Sequence, residues 1–163
     1  MRSEDAAMDR PKNKWTAAFF LALSVTVVLS AAMLHLGNGR SQAVRAFERD
    51  REAFEAAARQ ALEYGSGTAA ACPKGVREVN LYLGSYPDEP TVEFLMGSSG
   101  FGSQTRYWGI NYVESGRLAG FQGNRMEYWK EQGSGTLFYE VEGDNTCYVE
   151  PLDEGWFYFE MEF

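Results

Sequence analysis

The sequence predicts an α+β fold: an N-terminal transmembrane helix, then one amphipathic helix packed on a curved antiparallel sheet of about six to eight strands. Three observations carry this prediction. Residues 15–36 are mostly apolar and contain no Lys, Arg, Asp or Glu. Residues 41–64 repeat apolar side chains at intervals of three and four, as an amphipathic helix does. Residues 75–163 alternate apolar and polar side chains between short turn sequences, as the strands of a β-meander do.

The apolar run is predicted to cross a membrane. As a helix rising about 1.5 Å per residue, residues 15–36 reach about 33 Å, and a hydrocarbon core is about 30 Å thick. The competing interpretation is a cleaved secretory signal, whose apolar region is typically about 7–15 residues long. This run is longer, so we expect an uncleaved signal anchor. Either interpretation sends the chain to a membrane.

The orientation of this span follows from the basic residues beside it. Four Lys or Arg flank each side closely, so their number alone does not decide. Arg10, Lys12 and Lys14 crowd the amino side, whereas Arg49 and Arg51, after the span, alternate with acidic residues. Long domains after a span also cross membranes largely regardless of charge. We therefore predict that residues 1–14 form a cytoplasmic tail and residues 41–163 an extracytoplasmic domain.

The extracytoplasmic domain is predicted to contain one helix and then only strands. Its helix spans 41–64, and Gly65 follows as a stop signal. Glycine and serine dominate residues 97–103, which predicts a hairpin loop. No second helical segment fits between the strands, which excludes parallel βαβ units. The apolar sides of the strands include Val79, Leu81, Val92, Phe94, Trp108, Ile110, Leu137, Phe157 and Phe159.

Charge and cysteine content narrow the class of protein. The chain has a formal net charge of −8, and an acidic domain repels phosphate backbones, so we expect no nucleic-acid partner. Two cysteines, Cys72 and Cys147, lie beyond the predicted span. An even number in an oxidising compartment permits a disulfide between them, and two separate thiols remain the alternative.

The sequence contains few of the residues that common catalytic sites need. Its single histidine, His35, lies at the end of the predicted span. The extracytoplasmic domain therefore has no imidazole for a Ser-His-Asp or Cys-His system, or for most zinc sites. We predict no catalytic set, no metal site and no cofactor. A hydrolase that uses two carboxylates, as glycosidases do, remains an alternative because acidic residues are abundant.

Aromatic side chains are the most abundant candidate binding groups. Several stand side by side, and neighbours along a strand point to opposite faces of the sheet. One ring of each pair is then expected in the core, and the other can join an exposed platform for a partner. The candidates for this platform are Tyr107, Trp129, Trp156 and Tyr158.

Particular sequence stretches also carry a resemblance. They are RDRE at 49–52, YWGINY at 107–112, GFQG at 120–123 and WFYFEMEF at 156–163. With the polar head and single span, they resemble a group of small uncharacterised bacterial single-pass membrane proteins that have an aromatic-rich C-terminal β-domain. No activity is known for that group, so the resemblance implies a layout and no functional residue.

Together these observations favour a tethered binding module over an enzyme. We expect the extracytoplasmic domain to bind an envelope protein or a glycan through an aromatic-rich face of its sheet. Two alternatives stay open, a carboxylate-dependent hydrolase and a purely structural envelope module. Exposure of the candidate rings separates the binding module from the structural one.

Overall fold

The computed structural model describes residues 39–65, 72–85, 89–102, 104–117 and 125–163. The predicted cytoplasmic tail, 1–14, and the predicted transmembrane helix, 15–36, lie outside the described residues. Within the described ranges, no helix combines the length and the apolar character that a membrane crossing requires. Gly39–Phe163 forms one compact unit.

Two helices stand where the sequence predicts one. Helix α1 spans Gly39–Arg49 and helix α2 spans Arg51–Tyr64. Asp50 separates them because its backbone, at φ −117° and ψ 30°, leaves the helical region. Its carbonyl then accepts hydrogen bonds from the amides of Ala53 and Phe54 at 2.9 and 3.2 Å, which start the second helix. The Asp50 side chain makes no cap hydrogen bond and instead accepts from Arg49, and the apolar pattern continues on both sides of Asp50.

Seven strands form one open antiparallel sheet, which confirms the predicted α+β class and the strand number. Each strand pairs with its neighbours in antiparallel register, and β-bulges interrupt four of the ladders. The strands are β1 (Glu78–Ser85), β2 (Glu89–Phe101), β3 (Gln104–Val113), β4 (Met126–Gln132), β5 (Gly135–Glu140), β6 (Thr146–Asp153) and β7 (Trp156–Glu162).

The order of the strands differs from the predicted single meander. The sheet runs β1-β2-β3-β7-β6-β5-β4, so two meanders meet where β3 pairs with β7. Strand β7 is central because it is apolar on both faces: Trp156 and Tyr158 point to one side, and Phe157 and Phe159 to the other. A strand that buries both faces needs a neighbour on each side and cover on each face.

The helices cover one face of the sheet, which we call the helix side. There Phe54 packs against Phe94 and Trp156, with ring centroids 5.0 and 6.3 Å apart, and Phe47 lies 4.9 Å from Trp156. Alanines 43, 57, 58 and 61 let the helix backbones approach these rings. The contacts of the helices with the sheet are mainly to β1, β2, β3 and β7.

The opposite side of the sheet holds a second apolar cluster. Its fully buried members come from the C-terminal meander and the end of β3, and side chains of β2, β4 and β5 pack against them. The sheet therefore has two cores, one on each face. The buried members are Val113, Cys147, Val149, Phe157, Phe159 and Met161.

Candidate functional site

The four predicted platform rings do not share one surface. Trp156 is 3 % exposed and Tyr158 is 1 % exposed, because both point to the helix side of the central strand. Trp156 contacts Phe47, Phe54 and Phe94 there. The placement of these two rings on an exposed face is therefore corrected: they are core residues of the helix side.

The other two rings lie apart from each other. Tyr107 is half-buried on β3, on the opposite side of the sheet, and its ring meets that of Phe163 edge-on at 5.5 Å. Trp129 is 51 % exposed on β4, at the far edge of the sheet. Of the four candidates, Trp129 is the one that the structure leaves open as a large exposed ring.

Trp129 belongs to a surface that we call the hairpin surface, formed by Glu127, Trp129, Lys130 and Tyr139 on the β4–β5 hairpin. A register shift between Tyr128 and Lys130 places Trp129 in a bulge. The Lys130 ammonium lies 4.8 Å from the centroid of the Trp129 ring. The Tyr139 hydroxyl donates a hydrogen bond to Glu127 Oε2 at 2.9 Å, which raises the pKa of Tyr139.

Tyr139 is an exposed aromatic ring that was not among the binding candidates from the sequence. Leu137 and Tyr139 lie on the helix side, because Leu137 pairs with Tyr148. The main contacts of the helices are with β1, β2, β3 and β7, and Tyr139, on β5, is 39 % exposed. Alternation along β5 gives the face of Tyr139, but its exposure depends on the place of β5 next to the edge strand of the sheet.

The two cysteines are free thiols in this structure, as in the second of the two alternatives that the sequence leaves open. Cys72 is exposed ahead of β1, and its thiol donates to the carbonyl of Val76 at 3.5 Å. Cys147 is buried on β6, where burial, and then the charges of Glu93 and Glu160, raise its pKa. Cys72 lies outside the sheet, before β1, whereas Cys147 lies within β6, four strand positions from β1.

A buried glutamate lies on each side of the sheet, and neither was a candidate from the sequence. On the helix side, Glu150 is 5 % exposed and accepts hydrogen bonds from two nitrogens of Arg40, from Nε to Oε2 at 2.6 Å and from Nη2 to Oε1. The Tyr148 hydroxyl donates to the same oxygen at 3.1 Å. The Arg40 hydrogen bonds, more than any other group, lower the pKa of Glu150 to about 2.

On the opposite side, Glu93 is 1 % exposed and has no cationic partner among the described ion pairs. Asn80 Nδ2 donates to its Oε1 at 3.4 Å, and the Tyr82 hydroxyl also hydrogen-bonds it. Burial raises the pKa of Glu93 to about 7, against the effect of these two donors. Glu93 Oε2, Thr91 Oγ1 and Asn111 Oδ1 are buried without a hydrogen-bond partner.

Two grooves on the described surface carry charged side chains. The larger, of about 440 Å³, lies between α2 and the turn that joins β6 to β7. We call it the mixed-charge groove, because two arginines and four carboxylates line it. Those residues are Arg51, Glu55, Arg59, Glu114, Asp153 and Glu154. In the portion of the chain that the structure describes, no group of three His, Cys, Asp or Glu side chains is arranged to hold a metal ion.

Comparisons of the chain with protein-family models, with curated proteins and with solved structures find no match. The resemblance to small bacterial single-pass membrane proteins therefore stays a prediction.

Proposed function

We propose that this chain is a membrane-anchored, non-enzymatic binding module, and that its hairpin surface holds an extended, positively charged segment of a partner protein. The observation that carries the proposal is the exposed indole of Trp129 on the terminal strand of the sheet. Large exposed aromatic rings beside charged groups are typical anchors of protein interfaces.

The edge of β4 supports a polypeptide as the partner. Strand β4 pairs with β5 on one side, and no described strand pairs with its other side. Such an edge offers backbone N–H and C=O groups that an added strand can pair with. The bulge at Trp129 limits continuous pairing to a short stretch, so the ring itself supplies much of the contact. A glycan uses an aromatic ring but not a strand edge.

The charge around the hairpin surface indicates the sign of the partner. Residues 125–145 contain two basic side chains, Arg125 and Lys130, against five acidic ones. A segment that carries Lys or Arg is therefore attracted, and an acidic one is repelled. The exposed carboxylate of Glu131 and the Glu127 carboxylate lie on the same strand as the ring.

The anchor is part of the same proposal. Residues 15–36 span the membrane once, residues 1–14 are cytoplasmic, and the domain from residue 41 onward is extracytoplasmic. This is supported by the uncharged run and by the basic residues Arg10, Lys12 and Lys14 before it. Protease added outside intact spheroplasts is expected to remove a C-terminal tag and spare an N-terminal one. The reverse pattern contradicts this orientation.

Binding is tested with the full-length chain in detergent and two designed hexapeptides, one alternating Lys and Val and the other alternating Glu and Val. We expect the basic peptide to bind and the acidic one not to, by isothermal titration calorimetry. Trp129→Ala is expected to weaken binding about tenfold, which corresponds to about 1.4 kcal/mol. Phe101→Ala is the matched control, because Phe101 is an exposed ring at a distant hairpin.

Equal losses for Trp129→Ala and Phe101→Ala contradict the hairpin surface as the binding site. Equal affinity for the two peptides contradicts a basic partner. A third titrant, cellotriose, tests the glycan alternative. If cellotriose binds in a way that depends on Trp129 and the basic peptide does not bind, the assignment of a polypeptide partner is overturned.

A carboxylate-dependent hydrolase is the second candidate, because the mixed-charge groove brings four carboxylates together. Arg51 pairs with both Glu55 and Asp153, and the pKa of Asp153 is lowered, chiefly by the backbone amide of Glu154. A glycosidase acid needs a raised pKa, so these pairings favour a structural role. The test is the release of nitrophenol from nitrophenyl glycosides. If the parent protein releases nitrophenol and Glu114→Gln does not, the protein is a hydrolase and not a binding module.

A further inference from the structure

A second groove, distinct from the hairpin surface, concentrates positive charge. It has a volume of about 360 Å³ and lies where helix α1 meets the turn before β1. We call it the basic groove, because its charged lining residues are Arg45, Arg49 and Lys74. This placement is unusual for the domain, since residues 39–163 carry 11 basic against 20 acidic side chains.

The three cations are poorly neutralised. Arg49 pairs with Asp50, with Arg49 Nη2 2.7 Å from Asp50 Oδ2. Arg45 and Lys74 take part in none of the ion pairs among the described residues, although the charge of Lys74 lowers the pKa of Asp50. Arg45 and Arg49 are four positions apart on one helix, where like charges repel. The groove thus has an excess of positive charge that an anion relieves.

Local backbone geometry brings Lys74 to the arginines. Residues 73–76 form a turn in which the amide of Val76 donates to the carbonyl of Pro73 at 3.0 Å. Gly75 has φ +92° at the third position, a conformation that other residues rarely adopt. Proline and glycine therefore define a tight turn around Lys74, so that a cation from outside the helix joins the two that α1 supplies.

The floor of the basic groove is apolar and aromatic. Met96 and Trp108 line it, and two glycines lie against the Trp108 ring. A Cβ at Gly39 stands 2.7 Å from that ring, and one at Gly97 is closer still. Both positions therefore need glycine for the ring to lie where it does. A flat apolar group can rest on this floor while its charged end meets the cations.

We propose that the basic groove binds a phosphate monoester, with the phosphate between Arg45, Arg49 and Lys74 and its organic substituent over Trp108. Guanidinium groups match phosphate oxygens in pairs, and a lysine adds a third charge. The volume suits a small ligand. The same chemistry is offered by a soluble phosphate ester and by a phospholipid headgroup.

The test uses the full-length chain in detergent micelles, with phenyl phosphate and inorganic phosphate as titrants followed by calorimetry. Phenyl phosphate is expected to bind at least fivefold more tightly than inorganic phosphate, because its ring reaches Trp108. Arg45→Gln and Lys74→Gln are each expected to weaken phenyl phosphate binding about tenfold. Arg59→Gln is the matched control, an exposed arginine on α2 outside this groove, and is expected to change the affinity less than twofold.

Adding lipid to the micelles distinguishes a phospholipid headgroup from a soluble phosphate ester as the ligand. If phosphatidic acid lowers the apparent affinity for phenyl phosphate and phosphatidylcholine does not, the groove accepts a headgroup. If neither lipid competes, its ligand is a soluble ester. Absence of phenyl phosphate binding, or equal losses for Arg45→Gln and Arg59→Gln, overturns the proposal. The hexapeptide titration of the hairpin surface is independent of both outcomes, since it depends on Trp129.

Discussion

Glu150 and Glu93 are both buried, on opposite sides of one sheet, yet their acidities move in opposite directions. The pKa of Glu150 is lowered to about 2, chiefly by the Arg40 hydrogen bonds. The pKa of Glu93 is raised to about 7, chiefly by burial. Both also accept hydrogen bonds from a tyrosine, Tyr148 or Tyr82. Two differences separate the pKa values: Glu150 has a guanidinium partner, and Glu93, which has none among the described ion pairs, lies deeper in the protein.

The contrast gives the two sides of the sheet opposite responses to pH. An unfolded glutamate has a pKa of about 4.3. The stability that ionised Glu150 contributes is present above that value and is lost as the pH falls towards 2. The stability associated with protonated Glu93 is full below about 4.3 and is lost as the pH rises through 7. We therefore expect the domain to be most stable in mildly acidic solution.

The largest expected effect comes from removing the cation. Arg40→Met leaves the Glu150 carboxylate buried without its partner, and breaking a buried pair costs about 3 kcal/mol. We expect the free energy of unfolding at pH 7, measured with urea, to fall by about that amount. Because Arg40 is partly exposed, the loss belongs at the lower end of the usual range. The double variant Arg40→Met with Glu150→Gln is expected to recover most of the lost free energy of unfolding. If Arg40→Met alone is as stable as the parent, the Arg40 pair does not stabilise the Glu150 carboxylate, and the contrast with Glu93 is contradicted.

A smaller effect of opposite sign is expected at Glu93. Glu93→Gln keeps the shape and removes the buried charge, so the variant is expected to be more stable than the parent by about 2 kcal/mol at pH 8. At pH 4.5 the parent is already protonated, and the two should be equal. Urea unfolding at both pH values measures this. Glu142→Gln, at an exposed position in the turn after β5, is the control; equal effects at Glu142 and Glu93 contradict the assignment to burial.

The smallest expected effects come from the two tyrosines. Tyr82→Phe removes a donor to a carboxylate that has no cation, which is expected to cost about 1 kcal/mol at pH 8 and less at pH 5. Tyr148→Phe removes a donor to an oxygen that Arg40 Nε also holds, so we expect about 0.5 kcal/mol with little pH dependence above pH 5. Thermal unfolding measures which of the two variants loses more stability. A larger loss for Tyr148→Phe than for Tyr82→Phe contradicts this prediction.

Local pattern was sufficient for the class of the elements. Phe47, Phe54 and Ala58 follow the helical repeat, and the strands follow the alternation of residues such as Val92 and Phe94, because both periods arise from backbone geometry. The break at Asp50 was not visible, since the apolar stripe continues across it. Residues 97–101, predicted as a loop, belong to β2 instead. Gly97 is there because the Trp108 ring of the paired strand occupies the space of its side chain.

The candidate sites were less predictable than the elements. Trp129 and Trp156 each stand in an aromatic pair on a strand, and nothing local tells which ring is covered. Strand order decides it: Trp156 lies beneath the helices on a central strand, and Trp129 lies on an edge strand, where it is 51 % exposed. The basic groove was not predicted either, because Lys74 and Arg45 are 29 positions apart in the chain.

By itself, the sequence determined the α+β class, the antiparallel pairing, the acidity of the domain and the absence of histidine beyond His35, and it predicts the span at 15–36. These are properties of composition and of short-range periodicity. Only the tertiary structure decided the strand order, the burial of Trp156 and Tyr158, the exposure of Trp129 and the partners of Glu93 and Glu150. Each of these depends on which distant segments meet. Two glutamates with the same intrinsic chemistry differ because Arg40 reaches Glu150, whereas Glu93 is buried without a cation among the described ion pairs.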